Sequence, residues 1–321
     1  WSSDVCSSDL GPGLALMSES LGLAVASETP VTVLNVMRGG PSTGIPTKSE
    51  QGDLNIALFG LHGDAPHLVL APLGIADCVF TTGWAVQLAQ ALQTPAVVLS
   101  DQYLGQSTAV VSPPRQCDPG PAPAAVPVDN DYLRYRLTAS GVSTLAVHGD
   151  PGQRFTADGL EHHEAGTPSA SQSDHLQQLD KRARKLADYP FGPDWGVTGG
   201  NGGLALVGFG SSFAAIEAAA ERLRQSGRAT RTICLRLLAP LPLAALREAL
   251  AGVDPVVVVQ QNHGGQVLHS LRGAGAFIWE GAFSREEAFS REEAFGSARS
   301  VGCAVHGYAR PGPVPLDPAA L

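Results

Sequence analysis

The chain has 321 residues, of which 44% are apolar, and a formal net charge of −9 at pH 7. This length can bury a sizeable core and predicts more than one domain. The acidic balance argues against a nucleic-acid partner, because nucleic-acid binding relies on clustered Lys and Arg. No apolar stretch of about 20 residues runs uninterrupted, so we expect no membrane span and a cytoplasmic location.

Residues 1–10, WSSDVCSSDL, have neither an apolar periodicity nor the layout of a signal peptide. The run DVCSSDL is similar to the translation of a sequencing-library adapter. We therefore expect residues 1–10 to be a non-native segment and the true amino-terminal part of the protein to be missing.

The pattern from residue 11 to residue 192 predicts a first α/β domain. Its predicted elements are a helix over residues 13–28, a strand over 30–37, a loop over 38–54, a helix starting near Asp53, a strand over 67–72, a helix over 75–93 and a strand over 95–101. Strands separated by helices of this length form βαβ units, so the sequence predicts a parallel sheet with helices on both faces.

The loop RGGPSTGIPTKSEQGDL, residues 38–54, is the segment most suited to hold a ligand, since ligands bind at the carboxyl edge of such sheets. Its glycines permit close backbone approach, its Ser and Thr offer hydroxyls, and the guanidinium of Arg38 suits a carboxylate. A structural alternative stays open: Thr47 and Glu50 fit a capping box that starts a helix, and Arg38 pairs with a surface acid.

The remainder of the first domain suggests no site of its own. The proline-rich segment PPRQCDPGPAPAAVP predicts an excursion over the surface. His162, His163 and Glu164 are adjacent and read as solvated side chains rather than metal ligands. The basic helix KRARKL, residues 181–186, likewise reads as a solvated face.

A second α/β domain is predicted over residues 193–275, after the glycine-rich linker candidate at residues 192–203. Its predicted elements are a strand in LALVGFGSS, a helix in FAAIEAAAERLRQSG, the strand TRTICLRLL, the helix LAALREALAGV and the strand PVVVVQQ. The turn GFGSSF lacks the third glycine of a dinucleotide fingerprint and reads as structural. Residues 276–321 form a predicted tail with two copies of AFSREE, at residues 282–293, to which we assign no function.

The five cysteines are spread along the chain and none forms a CxxC pair, which predicts no metal site on this chain. Cys78 and Cys234 lie in apolar segments and read as buried small hydrophobes. If the function is redox, the electron carriers lie on another chain.

The segments GPGLALMSES, RGGPSTGIPTKSEQGDL, LHGD, PAVVLSD, GLEHHEAG, KRARKL, VVVVQQNHGGQ and YARPGP, in this order, resemble the alpha subunit of the 2-oxoacid:ferredoxin oxidoreductases, most of all its 2-oxoglutarate members. The resemblance implies a partial, pyrimidine-binding type thiamine diphosphate domain followed by a domain similar to the carboxyl-terminal domain of transketolase. It also implies a hetero-oligomer with a beta subunit that holds Mg²⁺ and an iron–sulfur cluster.

In that family the reaction is the oxidative decarboxylation of 2-oxoglutarate to succinyl-CoA, with electrons passed to ferredoxin. The resemblance implies that Arg38 holds the substrate carboxylate and that Thr47 lines the same pocket. Gly11, Pro12 and Gly13 match the end of a turn near the cofactor.

The sequence departs from the family pattern at three places. Asp9 and Leu10 stand where the family has Thr and Ser, and Gln260 stands where it has Glu, which leaves the role of that strand end in doubt. The family's activating glutamate belongs upstream of Gly11, so we expect the chain as given to be inactive. Two alternatives stay open: a subunit for pyruvate or branched-chain 2-oxoacids, and a non-catalytic, truncated assembly subunit.

Overall fold

The computed structural model describes residues 4–8, 11–117, 132–146, 149, 151–277, 298–300, 303–312, 316–319 and 321. Within them the chain forms two α/β units, each built on a sheet of mainly parallel strands, so the predicted fold class is confirmed. The predicted hexapeptide copies at 282–293 lie outside the described residues, as does most of the proline-rich segment. Among the described helices, none is both long enough and apolar enough to cross a bilayer.

The first unit contains four strands and six helices in the described residues. In chain order they are β1 Asp4–Ser8, α1 Gly11–Leu16, α2 Ser18–Ala26, β2 Val31–Met37, α3 Leu54–Phe59, β3 Leu68–Leu70, α4 Ile75–Leu92, β4 Ala96–Asp101, α5 Gln102–Gln106 and α6 Gln172–Ala187. The sheet runs β1-β2-β4-β3, all parallel, and is completed by one antiparallel strand from the second unit.

The second unit begins with a short 3₁₀ helix at Gly192–Trp195. Its elements are β5 Gly196–Gly199, β6 Leu204–Phe209, α7 Ser212–Gln225, β7 Thr230–Leu235, β8 Leu237–Ala239, α8 Leu243–Ala249, β9 Val256–Gln260, α9 Gln266–Gly273, β10 Ala298–Ser300 and β11 Cys303–Ala309. Its sheet has the order β10-β11-β9-β6-β7-β5, with antiparallel strands only at the two edges.

Besides β5, which lies in the predicted linker, and β10 and β11, which lie in the predicted tail, three predicted elements differ in the structure. The helix predicted over residues 13–28 is interrupted at Met17, where the Ser18 hydroxyl donates to the carbonyl of Ala15 at 2.9 Å and so competes with the helical hydrogen bonds. Residues 4–8, set aside in the sequence analysis, pair with β2 as an edge strand. This pairing does not test whether residues 1–10 are a non-native segment, so that statement stays a prediction.

The third difference joins the two units. The single strand predicted in TRTICLRLL is two strands: β7 stays in the second sheet, whereas β8 adds to the first. Arg236 lies at the crossing and pairs with Asp77 on α4 at 2.8 Å, a partly buried contact that fixes the change of direction. A continuous apolar cluster contains residues of both sheets, so the two units share one core.

Candidate active site

The loop of residues 38–54 folds back on itself directly after β2. The amide of Gly39 donates to the carbonyl of Lys48 at 2.9 Å, and the amide of Ile45 donates to the carbonyl of Gly39 at 2.9 Å. Gly44 has φ +54°, and a Cβ there would overlap the Gly39 carbonyl, so this position requires glycine. The closed base brings the neighbours of Gly39 and Lys48, which are Arg38 and Thr47, to the same end of the loop.

The structural alternative for these two residues is wrong for Thr47. Thr47 is exposed with φ +52°, and the next helix begins seven residues later at Leu54, so Thr47 caps no helix. The Nε atom of the half-buried Arg38 is shielded from solvent and has no hydrogen-bond partner among the described residues. No ion pair between described residues includes Arg38. A buried, unpaired cationic donor is a natural place for an incoming anion.

The turn Gly11–Pro12–Gly13 starts α1 and lies at the other end of the loop. A Cβ on Gly11 would overlap the carboxylate of Asp53, so the start of α1 packs closely on that side chain. Asp53 accepts from Asn35 Nδ2 at 3.0 Å. Burial raises the pKa of Asp53 above its usual value, although the Asn35 hydrogen bond opposes the shift. The predicted cofactor turn and the predicted carboxylate clamp therefore lie at opposite ends of one loop.

Sequence reasoning missed Gln51, which ties the loop to the second unit. Its side chain is fully buried; Nε2 donates to the carbonyl of Phe209 at 3.0 Å, and Oε1 accepts from the amide of Gln261 at 3.0 Å. Its main chain also takes part, since its amide donates to the carbonyl of Gln261 at 2.7 Å and its carbonyl accepts from Asn262 Nδ2 at 3.1 Å. A local pattern cannot reveal these partners, which lie more than 150 residues away.

The strand end whose role the sequence left in doubt supports the same loop. Gln266 Nε2 donates to the carbonyl of Gly52 at 2.8 Å, and its Oε1 accepts from the amide of Asn55 at 2.9 Å. The fully buried Gln260 accepts from the amide of Val267 and from Asn262 through Oε1. The end of β9 and the start of α9 therefore hold the last residues of the loop in place.

A second polar contact joins the units beside this junction. Asp101, at the end of β4 and paired in register with Met37, accepts a hydrogen bond from the hydroxyl of Ser211. Burial raises the pKa of Asp101, with the Ser211 hydrogen bond acting against the shift. A cavity of about 240 Å³ opens next to this contact, lined by Tyr103, Ser211, Ser212, Ala214, Ala215, Gln261, Leu316 and Pro318.

The expectation that helix α6 presents a solvated basic face is wrong. Lys181 and Lys185 are fully buried and both meet the carboxylate of Glu28, at 2.6 Å and 3.4 Å. Burial lowers the pKa of Lys181, and it lowers the pKa of Lys185 to about 8. For Glu28, burial would raise the pKa, but Lys185 and Lys181 outweigh it and hold the pKa below its usual value. Lys181 and Lys185 face inward because Glu28, 153 and 157 residues earlier, accepts hydrogen bonds from them.

The expectation for His162 also needs correction. This histidine is buried, its ring stacks on Tyr135 with centroids 3.6 Å apart, and Nε2 lies 3.2 Å from the carbonyl of Ala26. It is a core side chain rather than a solvated one. The described residues contain no group of three or more His, Cys, Asp or Glu side chains placed to hold a metal ion.

Two family profiles match the chain. Residues 6–181 match the thiamine diphosphate-binding domain of the pyruvate flavodoxin/ferredoxin oxidoreductases, and residues 203–276 match core domain II of pyruvate:ferredoxin oxidoreductase. The first match includes the loop, Arg38 and Thr47, and the second includes Phe209 and Gln261. The junction described above therefore joins two recognised domains.

Curated relatives are similar over most of the chain. Subunit alpha of 2-oxoacid:ferredoxin oxidoreductase 2 from Aeropyrum pernix is 38% identical over 273 residues, which is 82% of this chain and 42% of that protein. The 2-oxoglutarate synthase subunit KorA of Archaeoglobus fulgidus is 34% identical over 254 residues, 79% of this chain and 67% of that subunit.

A solved structure is similar over nearly the whole chain. The 2-oxoglutarate:ferredoxin oxidoreductase from Magnetococcus marinus, with 2-oxoglutarate, coenzyme A and succinyl-CoA bound, superposes with a TM-score of 0.82 and 32% identity. The match covers 98% of this chain and 51% of that one. The chain thus spans about half the length of that protein, and less than half of the Aeropyrum relative. By its family profiles and by these relatives, the chain belongs to the 2-oxoacid:ferredoxin oxidoreductase family.

Proposed function

We propose that this chain is the alpha-type part of a thiamine-dependent 2-oxoacid:ferredoxin oxidoreductase that converts 2-oxoglutarate to succinyl-CoA and passes the electrons to ferredoxin. The choice of 2-oxoglutarate is supported by the Magnetococcus neighbour, whose structure contains 2-oxoglutarate, coenzyme A and succinyl-CoA. It is also supported by relatives named as 2-oxoglutarate synthase subunits, among them those of Archaeoglobus and Methanothermobacter.

The observation that carries the proposal is the position of Arg38, because buried Nε atoms without a partner among the described residues also occur in Arg134, Arg184, Arg231 and Arg272, none of which follows the carboxyl end of a parallel strand. The Nε of Arg38 is buried and has no partner among the described residues, at the end of a strand where α/β sheets bind ligands. A 2-oxoacid brings a carboxylate, which a guanidinium can grip with two parallel hydrogen bonds. Arg38 would hold that carboxylate in a fixed orientation, and the exposed hydroxyl of Thr47, at the same end of the loop, would line the pocket.

The turn at Gly11, Pro12 and Gly13 fits a closely approaching cofactor. Gly11 packs closely on Asp53, whereas Gly13 has no side chain and its amide lies in the first helical turn, where amides have no partner within the helix. These residues would line thiamine diphosphate on one side. When bound, thiamine diphosphate supplies the nucleophilic carbon and the electron sink that decarboxylation of a 2-oxoacid requires.

In this proposal a beta subunit would hold Mg²⁺ together with the diphosphate and would carry the iron–sulfur cluster. The assembled enzyme would be a cytoplasmic hetero-oligomer. The domain division is part of the same proposal: a thiamine-type domain over residues 11–192 and a second domain over 193–275, whose sheet is extended by β10 and β11 from the predicted tail at 276–321.

The test is Arg38→Ala in a subunit that carries the family's activating glutamate and is assembled with its beta subunit, called the assembled enzyme below, with 2-oxoglutarate, pyruvate and a branched-chain 2-oxoacid offered in turn. We expect the wild type to reduce ferredoxin with 2-oxoglutarate and the variant to lose about 2–5 kcal/mol of transition-state stabilisation. Arg228→Ala, at an exposed arginine after α7, is the matched control and should leave kcat/KM unchanged.

Two results would contradict the proposal. Unchanged kinetics in Arg38→Ala would remove Arg38 from the site. A wild type that turns over pyruvate or a branched-chain 2-oxoacid but not 2-oxoglutarate would correct the substrate while leaving the reaction class in place.

A further inference from the structure

The loop that carries Arg38 is held by few contacts of its own sheet. Inside the loop, hydrogen bonds join Gly39 to Lys48 and to Ile45. From Ser42 to Lys48 the side chains are half-buried or exposed, so packing contributes little to the loop position. Arg38 directly follows β2, whose last residue Met37 pairs with Asp101, so the sheet sets the start of the loop, and the path of the remaining loop residues around the Arg38 side chain depends on how the far end is anchored.

That anchor is Gln51, whose side chain bridges to two strand ends of the second unit. It donates to the carbonyl of Phe209 at the end of β6 and accepts from the amide of Gln261 after β9, both at 3.0 Å. Gly210 follows Phe209 with φ +60°, and a Cβ there would come within 2.9 Å of Gln51 Nε2. The bare backbone of the GFGSS turn thus makes room for this amide.

The two hydrogen bonds require both halves of an amide. The Phe209 carbonyl needs a donor and the Gln261 amide needs an acceptor, and Gln51 presents one of each in a fully buried position. A buried group left without its partner is costly, so the pair of bonds selects one register of the loop against the second unit. The turn GFGSS, which the sequence analysis interpreted as structural, accepts the hydrogen bond of the Gln51 side chain.

We propose that Gln51 is a positioning residue of the reaction: by docking the loop on the GFGSS turn and the end of β9, it fixes Arg38 for the carboxylate of the 2-oxoacid. This inference rests on the proposed function of Arg38. Gln51 itself touches no substrate, and its effect passes through the register of residues 38–51.

The first test is Gln51→Met, which keeps the side-chain volume and removes both hydrogen bonds. In the assembled enzyme we expect amide exchange in residues 38–50 to rise on the order of 10-fold, as losing about two hydrogen bonds implies. The KM for 2-oxoglutarate should rise on the order of 10-fold, with a smaller change in kcat. Gln225→Met, the same change at an exposed position of α7, should alter neither.

The second test is Gln51→Glu, which has the same shape but replaces the donor by a carboxylate oxygen. Its defect should be pH-dependent, because a protonated carboxyl can again donate to the Phe209 carbonyl and burial raises the pKa of such a group. Relative to wild type at the same pH, the KM of Gln51→Glu should approach normal at pH 6 and worsen at pH 8, whereas Gln51→Met shows no such trend.

The outcomes separate this proposal from the proposed function. Wild-type exchange and KM in Gln51→Met, exchange raised equally in α4, or no recovery of Gln51→Glu at low pH would each overturn the positioning role. Faster loop exchange in Gln51→Met, together with normal kinetics in Arg38→Ala, would instead overturn the role of Arg38 and leave the loop anchor supported.

Discussion

Two regions of the first unit bury positively charged groups, and they differ in whether those groups are paired. Under α6, Lys181 and Lys185 share the carboxylate of Glu28, and Lys185 also donates to the carbonyl of Gln93 at 2.7 Å. At the end of β2, the shielded Nε of Arg38 has no partner among the described residues. One region satisfies its cations internally, and the other leaves a cation for something else to satisfy.

We propose that this difference separates a structural charge cluster from a binding site. A buried ammonium is stable only when it is paired and hydrogen-bonded, so the Glu28 cluster needs all of its members to persist. An arginine that awaits a ligand must remain partly unpaired, and the protein has to hold it by other means. In the proposed function those means are the neutral hydrogen bonds of Gln51 and Gln266.

The largest expected effect falls on the paired region. Glu28→Gln removes the carboxylate and leaves two buried ammonium groups without an anion. We expect the free energy of unfolding to fall by about 3–5 kcal/mol, measured by urea denaturation. Glu221→Gln, which breaks an exposed pair with Arg224, should change it by less than about 1 kcal/mol. An equal effect of the two changes would contradict the assignment of Glu28 as the centre of the cluster.

The same cluster predicts how stability depends on acid. The pKa of Glu28 is lower in the folded than in the unfolded chain, so the unfolded chain binds more protons as pH falls. The contribution of Glu28 is therefore complete above about pH 4.5 and is lost as pH falls through the folded value. Urea midpoints measured from pH 6 to pH 3 should fall more steeply for wild type than for Glu28→Gln. Parallel curves would show that Glu28 is not held ionised.

The sequence could reveal those parts of the fold and of the candidate site that depend on residues close together in the chain. The strands β2, β4, β6 and β9 and the helices α4 and α7 follow from local apolar patterns and turn residues, and their positions agree with the sequence prediction. The loop around Arg38 was singled out for its glycines and hydroxyls, which are also local features. Its family resemblance then supplied roles that spacing alone left undecided.

What the sequence missed depends on residues far apart in the chain. Lys181 and Lys185 read as solvated because Glu28 lies 153 and 157 residues away, with nothing in either segment to mark the pairing. His162 read as solvated because Tyr135, on which its ring stacks, lies outside its own segment. The same holds for β8, whose departure to the first sheet depends on the contact of Arg236 with Asp77.

An intermediate effect is expected where the predicted cofactor turn meets the loop. In Gly11→Ala the new Cβ would overlap the carboxylate of Asp53, which burial and the Asn35 hydrogen bond hold in place. Overpacking of this kind costs about 1–3 kcal/mol of unfolding free energy. The double variant Gly11→Ala with Asp53→Ser should recover most of that loss, since the serine side chain is shorter. A single variant as stable as wild type would show that α1 does not rest on Asp53.

The smallest effect on stability is expected at the unpaired cation itself. Arg38→Met keeps a long unbranched stem and removes a buried donor that has no partner among the described residues, so the unfolding free energy should stay within about 0.5 kcal/mol of wild type or rise. In the assembled enzyme the same change should raise the KM for 2-oxoglutarate, which neither Glu28→Gln nor Gly11→Ala is designed to do. If Arg38→Met were instead as destabilising as Glu28→Gln, then Arg38 would be a paired structural cation, and the contrast between the two regions would disappear.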